Sequence, residues 1–398
     1  MKLSVAANYD PGLVPDLGAW PVHEVYGKLP SDGLGGGRPR YMAAAMGWDS
    51  LAAYVARLRR HGIAFNYLLN AACHGNREWS RWWQQKLRRV LGRLEDMGVS
   101  RLTVSTPFLL ERIKRLHPSF HVRVGIYAQV DTPRRARFWE SLGADAITLE
   151  SFSINRRFDV LAGIRRAVRC ELQLIANHLC LPNCPLQPYH QSGFSHGAAG
   201  SRRLFVDYCF LHCSRMRLLD VSLFIKSMWI RPEDTAFYEA LGFDSFKLLE
   251  RDIPSPELLK RVRAYGERRF DGDLAELLFS YGFGEAPRKD RRWALRHFFR
   301  PLQARPSRVA RLADLARHQG MLFATGRRPV RIDNRRIPPG FVGGFEGRDC
   351  GRLDCTRCGY CERVARDCVA VDEAFREESL RRYAEANELC LSGELWGP

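Results

Sequence analysis

Twelve cysteines stand in a chain of 398 residues, and nine of them gather in two knots. The first knot reads Cys180-x3-Cys184, then 24 intervening residues, then Cys209-x3-Cys213. Thiolates are soft ligands that suit iron–sulfur clusters or zinc. Structural zinc prefers the tighter C-x2-C knuckle, so the looser pairs favour a 4Fe–4S cluster over zinc, and either over free thiols. His178, His190, His196 and His212 share this stretch. Four thiolates already complete a site, so these histidines are expected to stand behind the ligands or to face substrate.

The second knot reads Cys350-x4-Cys355-x2-Cys358-x2-Cys361, with Cys368 beyond. Its density is a strong metal signal, but it lacks the ferredoxin ending, a fourth cysteine three residues on followed by proline. A second iron–sulfur cluster and zinc both stay open there, the cluster being preferred. Cys73, Cys170 and Cys390 are isolated and are expected to be small buried hydrophobes. Several other chemistries have no motif here. There is no C-x3-C-x2-C of radical S-adenosylmethionine enzymes, no H-E-x-x-H helix and no G-x-S-x-G elbow. No activated serine or Cys–His nucleophile pair is legible either. The run Gly33-Leu34-Gly35-Gly36-Gly37-Arg38 lacks the Lys-Ser/Thr of a P-loop. It reads either as a plain connection or as a loop whose amides and Arg38 hold an anion.

Short apolar runs alternate with amphipathic stretches and must position these groups. Strands are expected over 3–8, 22–27, 64–70, 101–105, 122–127, 146–150, 171–177 and 245–250, with 223–227 as an accessory strand. Helices are expected over 49–61, 78–97, 106–116, 132–142, 155–168 and 233–241; Leu87, Val90, Leu91 and Leu94 form one apolar stripe. Repeated strand–helix alternation argues for a TIM-like (β/α)8 barrel over residues 1–272, with the cysteine insertion at 177–220. A smaller cysteine-rich extension follows over 273–398, with a basic stretch at 284–292, a linker at 301–306 and a helix at 309–319.

Barrels of this kind carry chemistry at the C-terminal ends of their strands. The polar residues expected there are Asn8, Glu24, Asn70, Ser105, Tyr127, Glu150, Asn177 and Glu250. Glu150, Asn177, Glu250 and Lys247 are the candidates for moving protons or orienting substrate. Glu24, Tyr26, Arg38, Asn70, Tyr127 and Arg251 are the candidates for binding it. For Glu150 the plain alternative is a helix cap; for Glu250 it is an ion pair with an arginine.

The formal charge of +18 favours anionic partners, RNA among them, although the basic residues are dispersed and not gathered in one tail. No stretch approaches the roughly 18 apolar residues of a membrane span. Met1–Asn8 turns polar too soon for a signal peptide, so a cytoplasmic setting is expected, where clustered thiols hold metal and not disulfides.

Several segments, in order, resemble the U32 peptidase family, also called collagenase-like. They are Glu24-Val25-Tyr26-Gly27 with Leu29-Pro30-Ser31-Asp32 and the glycine run, Arg231-Pro232-Glu233-Asp234, and Tyr238–Leu248. Leu249-Glu250-Arg251 occupies the place of the family's Glu-Gly-Arg triplet, with Glu250 where the family has glycine. The resemblance covers about residues 1–270, and the tail with Ile332-Asp333-Asn334 looks like that of a subgroup. It implies a barrel with a 4Fe–4S cluster on four cysteines, carried over here to Cys180, Cys184, Cys209 and Cys213. It also implies oxygen-independent hydroxylation of an aromatic or anionic small molecule or of RNA bases, and a partner protein of the same family. The rival activities are a U32-type peptidase and a non-catalytic RNA-binding scaffold with structural clusters.

Overall fold

The computed structural model describes residues 1–30, 32–39, 46–198, 206–250, 253–279, 299, 301–318, 328–352 and 354–396. Eight strands close a barrel: β1 (Lys2–Ala6), β2 (Val22–Gly27), β3 (Ala64–Leu69), β4 (Arg101–Val104), β5 (His121–Val124), β6 (Ala146–Thr148), β7 (Glu171–Ile175) and β8 (Ser245–Leu248). Every neighbouring pair is parallel, and β1 closes on β8 with Lys2 opposite Ser245 and Val5 opposite Leu248. The eight expected strands are thus present, each ending at or before the expected residue. Residues 223–227 are not a strand: Leu223–Lys226 is one helical turn, buried through Phe224 and Ile225.

Local chemistry explains the alternation. Proline opens the helices Pro107–Leu116 and Pro133–Ser141, where its missing N–H costs nothing. Ser80 caps helix Arg81–Asp96 through Trp83 N at 3.2 Å. Gly98 closes that helix at φ +78°, a conformation side chains resist. Leu87, Val90, Leu91 and Leu94 are all buried against the outer face of the strands.

Inside the barrel the packing is polar. Ser4 donates to Glu24 at 2.6 Å, Thr103 to Asn66 at 2.8 Å, Thr148 to Gln173 at 2.9 Å and Gln173 to Ser245 at 3.2 Å. Arg123 pairs with both Glu24 and, at 2.8 Å, Glu171. These groups occupy the starts and middles of the strands, so they fill the lower barrel. Their hydrogen bonds replace the aliphatic layers usual in this architecture.

The C-terminal extension packs on the barrel. Residues 273–279 and the two-stranded antiparallel sheet of β9 (Val330–Ile332) and β10 (Val369–Val371) join the barrel's hydrophobic core through Leu274, Leu277 and Ile332. Helices Pro306–His318 and Glu373–Leu391 pack with helix Tyr208–Leu219 of the cysteine insertion. The basic stretch at 284–292 lies outside the described residues. Among the described residues no helix is long and apolar enough to cross a membrane.

Candidate active site

The insertion after β7 folds over the barrel mouth. Helix Gln187–Ala198 reaches the loop after β3, where Ser195 Oγ accepts from Ala72 N at 2.8 Å, and the loop after β5, where Gln129 donates to Gln191 at 3.3 Å. Helix Tyr208–Leu219 follows, capped by Asp207 through Phe210 N at 3.1 Å. Cys209 and Cys213 stand one turn apart on it, so the x3 spacing puts both thiols on one face. Cys180 and Cys184 come from the loop that leaves β7. All four line a single cavity of about 230 Å3, together with His178, Arg217, Arg38 and Glu250.

Donors point at the sulfurs. Gln187 Nε2 lies 3.1 Å from Cys180 Sγ, and Arg217 Nη1 lies 3.4 Å from Cys213 Sγ. Arg217 also donates to Leu179 O, fixing the start of the cysteine loop. His178 joins Ser151 Oγ at 2.7 Å to Cys180 Sγ at 3.0 Å. A cysteine and a histidine therefore do meet, contrary to the sequence expectation. The two stand only two residues apart in the loop that leaves β7, so the contact is local and its sequence signal is His178-x-Cys180.

Burial decides the protonation of this pair. Desolvation pushes the Cys180 thiol far up and lowers His178 to about 4. Burial likewise pushes Cys209 to about 12 and raises Cys184. The cysteine keeps its proton and the imidazole stays neutral, the reverse of the thiolate–imidazolium pair a nucleophilic cysteine needs. A thiolate is favoured at such a place when a metal supplies the opposing charge. Among the described residues no three His, Cys, Asp or Glu side chains converge as tightly as one bound ion requires. A cluster has volume, and its ligands stand apart around a cavity. Four thiols facing one cavity, with N–H donors to two of them, fit an iron–sulfur cluster.

The glycine run is a strap across the mouth. Gly37 N donates to Asn70 Oδ1 at 3.1 Å, and Tyr127 Oη donates to Gly37 O at 2.8 Å. A Cβ at Gly37 would stand 2.8 Å from Asn70 Nδ2 and 3.2 Å from the Tyr127 ring. Asp32 anchors the near end, accepting from Leu34 N at 2.9 Å and Tyr67 Oη at 2.6 Å. Arg38, at the far end, pairs with Glu250.

Of the proposed site residues, Arg38, Asn177, Glu250 and the four cysteines reach the cavity. Several others do different work. Glu24 is no strand-end group: it lies mid-strand, fully buried, paired to Arg123 in the barrel floor. Glu150 folds back on its own turn, accepting from Phe152 N at 2.7 Å, Ser153 N at 2.9 Å and Ser153 Oγ; burial raises it to about 7. It closes its own turn and caps no helix, since helix Phe158–Ala167 begins further on with Arg157 at its N-cap. The Asn177 side chain is spent on backbone, accepting from Leu249 N at 2.7 Å and donating to Leu249 O and Leu277 O. Asn70 and Tyr127 hold the strap. Tyr26 donates to Leu248 O at 2.8 Å, with Lys247 Nζ 4.0 Å above its ring inside the barrel. Arg251 lies outside the described residues. Cys350, Cys355, Cys358 and Cys361 stand apart from this cavity, on the extension. Gln187, Arg217 and Phe375 were missed; Arg217 follows Cys213 by four residues, the one available signal.

Comparison with known proteins gives four findings. A family model described as peptidase family U32 matches residues 22–175. An uncharacterized protease of Methanocaldococcus jannaschii is 30% identical over 325 residues, covering 81% of this chain and 82% of that protein. Among solved structures, a U32 peptidase is 22% identical with a TM-score of 0.47, covering 64% of this chain and 95% of that one. A D-psicose 3-epimerase is 10% identical with a TM-score of 0.33, covering 49% of this chain and 80% of that one.

Proposed function

The chain belongs to the peptidase U32 family, and from that membership we propose an iron–sulfur-dependent redox enzyme that hydroxylates an organic substrate or an RNA base without molecular oxygen. One observation carries the reading: Cys180, Cys184, Cys209 and Cys213 line one cavity beside the ends of β7 and β8. A bound cluster would supply electron transfer or a Lewis-acidic iron. Gln187 and Arg217 donate to the sulfurs, and Arg217 also holds the loop that carries Cys180. Arg38 offers a cation to an anionic substrate group, and Glu250 can accept a proton as the substrate is oxidised. Phe194, Phe210 and Phe279 give the cavity apolar walls that exclude water. With water as the oxygen source, R–H and H2O give R–OH, two protons and two electrons. The electrons leave to an external one-electron carrier, for which a partner protein of the same family is a candidate.

The test is anaerobic purification followed by iron and sulfide analysis. A brown protein is expected, with iron and sulfide near equal amounts, and Cys180→Ser and Cys209→Ser should each lose the barrel cluster's share, about four of each. A colourless protein after anaerobic reconstitution would rule the cluster out.

A second reading, a cysteine peptidase, has the Ser151–His178–Cys180 chain in its favour. The two readings part at Cys209. A peptidase would keep its activity in Cys209→Ser and lose it in Cys180→Ser and His178→Gln, whereas the redox enzyme loses activity in both cysteine variants.

A further inference from the structure

Arg156 is 2% exposed, and among the described residues no carboxylate forms an ion pair with it. Asp234 acts on it electrostatically but is itself held by Arg231 at 2.8 Å. The guanidinium donates to two backbone carbonyls, Ile225 O at 2.6 Å and Trp229 O at 3.2 Å. Three rings enclose it: Trp229 of the barrel at 4.8 Å, and Phe341 and Phe345 of the extension at 5.0 and 4.7 Å. Rings and carbonyls stabilise a cation, but they carry no net charge. A buried charge without a counter-ion costs several kcal/mol.

Two thiols lie within electrostatic reach of this cation, and two more within reach of those. Cys361 is the group whose ionised form would act on Arg156 most strongly, and Cys350 acts on it as well. Cys350 lies within electrostatic reach of Cys355 and Cys358, and Cys361 of Cys350 and Cys355. Local structure gathers them. Asp354 caps the helical turn Cys355–Cys358 through Thr356 N at 3.0 Å, Gly359 turns the chain at φ +60°, and Cys361 opens helix Tyr360–Cys368. More cations surround the group. Arg348 Nη1 lies 3.0 Å from Cys358 Sγ, and Lys226 pairs with Glu362 at 2.5 Å. Cys368, two turns further along the helix, is buried in the hydrophobic core.

We propose that Cys350, Cys355, Cys358 and Cys361 hold a second metal centre, separate from the barrel cavity, and that its thiolates are the counter-ion of buried Arg156. Four thiolates around Zn2+ or around a doubly charged iron–sulfur core leave a net negative charge. That charge faces a cation enclosed by both the barrel and the extension, so the centre fastens one to the other. Among the described residues no three His, Cys, Asp or Glu side chains converge as tightly as one bound ion requires, so the wider iron–sulfur core suits the thiols as they stand, and zinc would need them drawn closer.

The test uses the full chain with the barrel quartet disabled by Cys180→Ser and Cys209→Ser. Zn2+ alone and ferrous iron with sulfide are supplied in separate anaerobic samples, and bound metal is counted after gel filtration. About one centre per chain is expected in one sample, and the sample identifies the metal. Adding Cys355→Ser and Cys358→Ser should abolish it. No bound metal in either sample, or equal metal with and without the second pair of substitutions, overturns the proposal. Should the barrel variant not fold, the same count in the wild-type chain must fall by one centre on Cys355→Ser with Cys358→Ser. The counter-ion role is read separately. Arg156→Met should weaken metal retention against a competing chelator by about tenfold or more, the value of one charge-assisted contact. Arg156→Lys should restore most of it. Equal retention in all three proteins would remove Arg156 from the proposal.

Discussion

Glu250 adopts φ +118°, a conformation that glycine takes freely and other residues take at a cost of about 1–3 kcal/mol. It also places a carboxylate at the cavity. Arg38 and the clamp of Asn177 on Leu249 hold that conformation in place. Glu250→Ala and Glu250→Gly both remove the ion pair, so the difference between them isolates the backbone. The glycine variant is expected to be more stable by about 1 kcal/mol or more in urea unfolding; equal midpoints would mean that residue 250 is unstrained. Glu24 tests the barrel floor. Burial alone would raise its carboxyl, but Arg123, His23 and the hydrogen bond from Ser4 hold it down to about 2. A group whose folded value lies below its unfolded value stabilises the fold above the unfolded value, and loses that contribution as pH falls through the folded one. The wild type should therefore lose about 3 kcal/mol between pH 4.5 and pH 2 that Glu24→Gln does not lose. Parallel stability curves for the two proteins would show that the floor is not ionised.

The elements were largely legible. Strand–helix alternation is a local signal, and it located all eight barrel strands and the helices after β2 to β6, but not Val14–Gly18, Gln187–Ala198, Tyr208–Leu219 or Ser255–Glu267. The strand misassigned at 223–227 is an apolar run too short for periodicity to separate a helical turn from a strand. That the four cysteines share one cavity was legible in part: Cys209 and Cys213 stand one helical turn apart, whereas Cys180 and Cys184 lie in a loop whose path no spacing reports. What the remaining polar residues do was not legible, because it depends on contacts far apart in the chain. Asn70 and Tyr127 turn away from substrate to grip Gly37, at separations of 33 and 90 residues. Gly37→Ala should therefore push the strap off both anchors. Trypsin is expected to cut after Arg40, the first basic residue past the strap that no proline follows, several-fold faster in that variant, with the barrel's circular dichroism unchanged. Unchanged cleavage would mean that the strap absorbs the added methyl. Asn177→Ala leaves Leu249 N and two carbonyls without partners and should cost about 2–3 kcal/mol in thermal or urea unfolding.

At the scale of the molecule, the extension completes the cavity. Phe375, 1% exposed on helix Glu373–Leu391, lines it and stacks on His318 with ring centroids 4.9 Å apart. Phe375→Ala should cost about 3–5 kcal/mol in urea unfolding and speed iron loss to a chelator, since it both empties a core position and opens the cavity wall. Iron loss at the wild-type rate would separate the extension from the site. The hydrogen-bonded interior of the barrel has a calorimetric consequence. Exposing apolar surface raises the heat capacity on unfolding, and exposing polar surface lowers it. A barrel filled by Ser4, Glu24, Asn66, Thr103, Arg123 and Gln173 releases polar groups where an aliphatic one would release methyls. Its heat-capacity increment should fall below the usual 12–15 cal/mol/K per residue or so. Its stability should then vary more gently with temperature, and its cold-denaturation limit should lie lower, than for a barrel of equal size packed with valine and leucine.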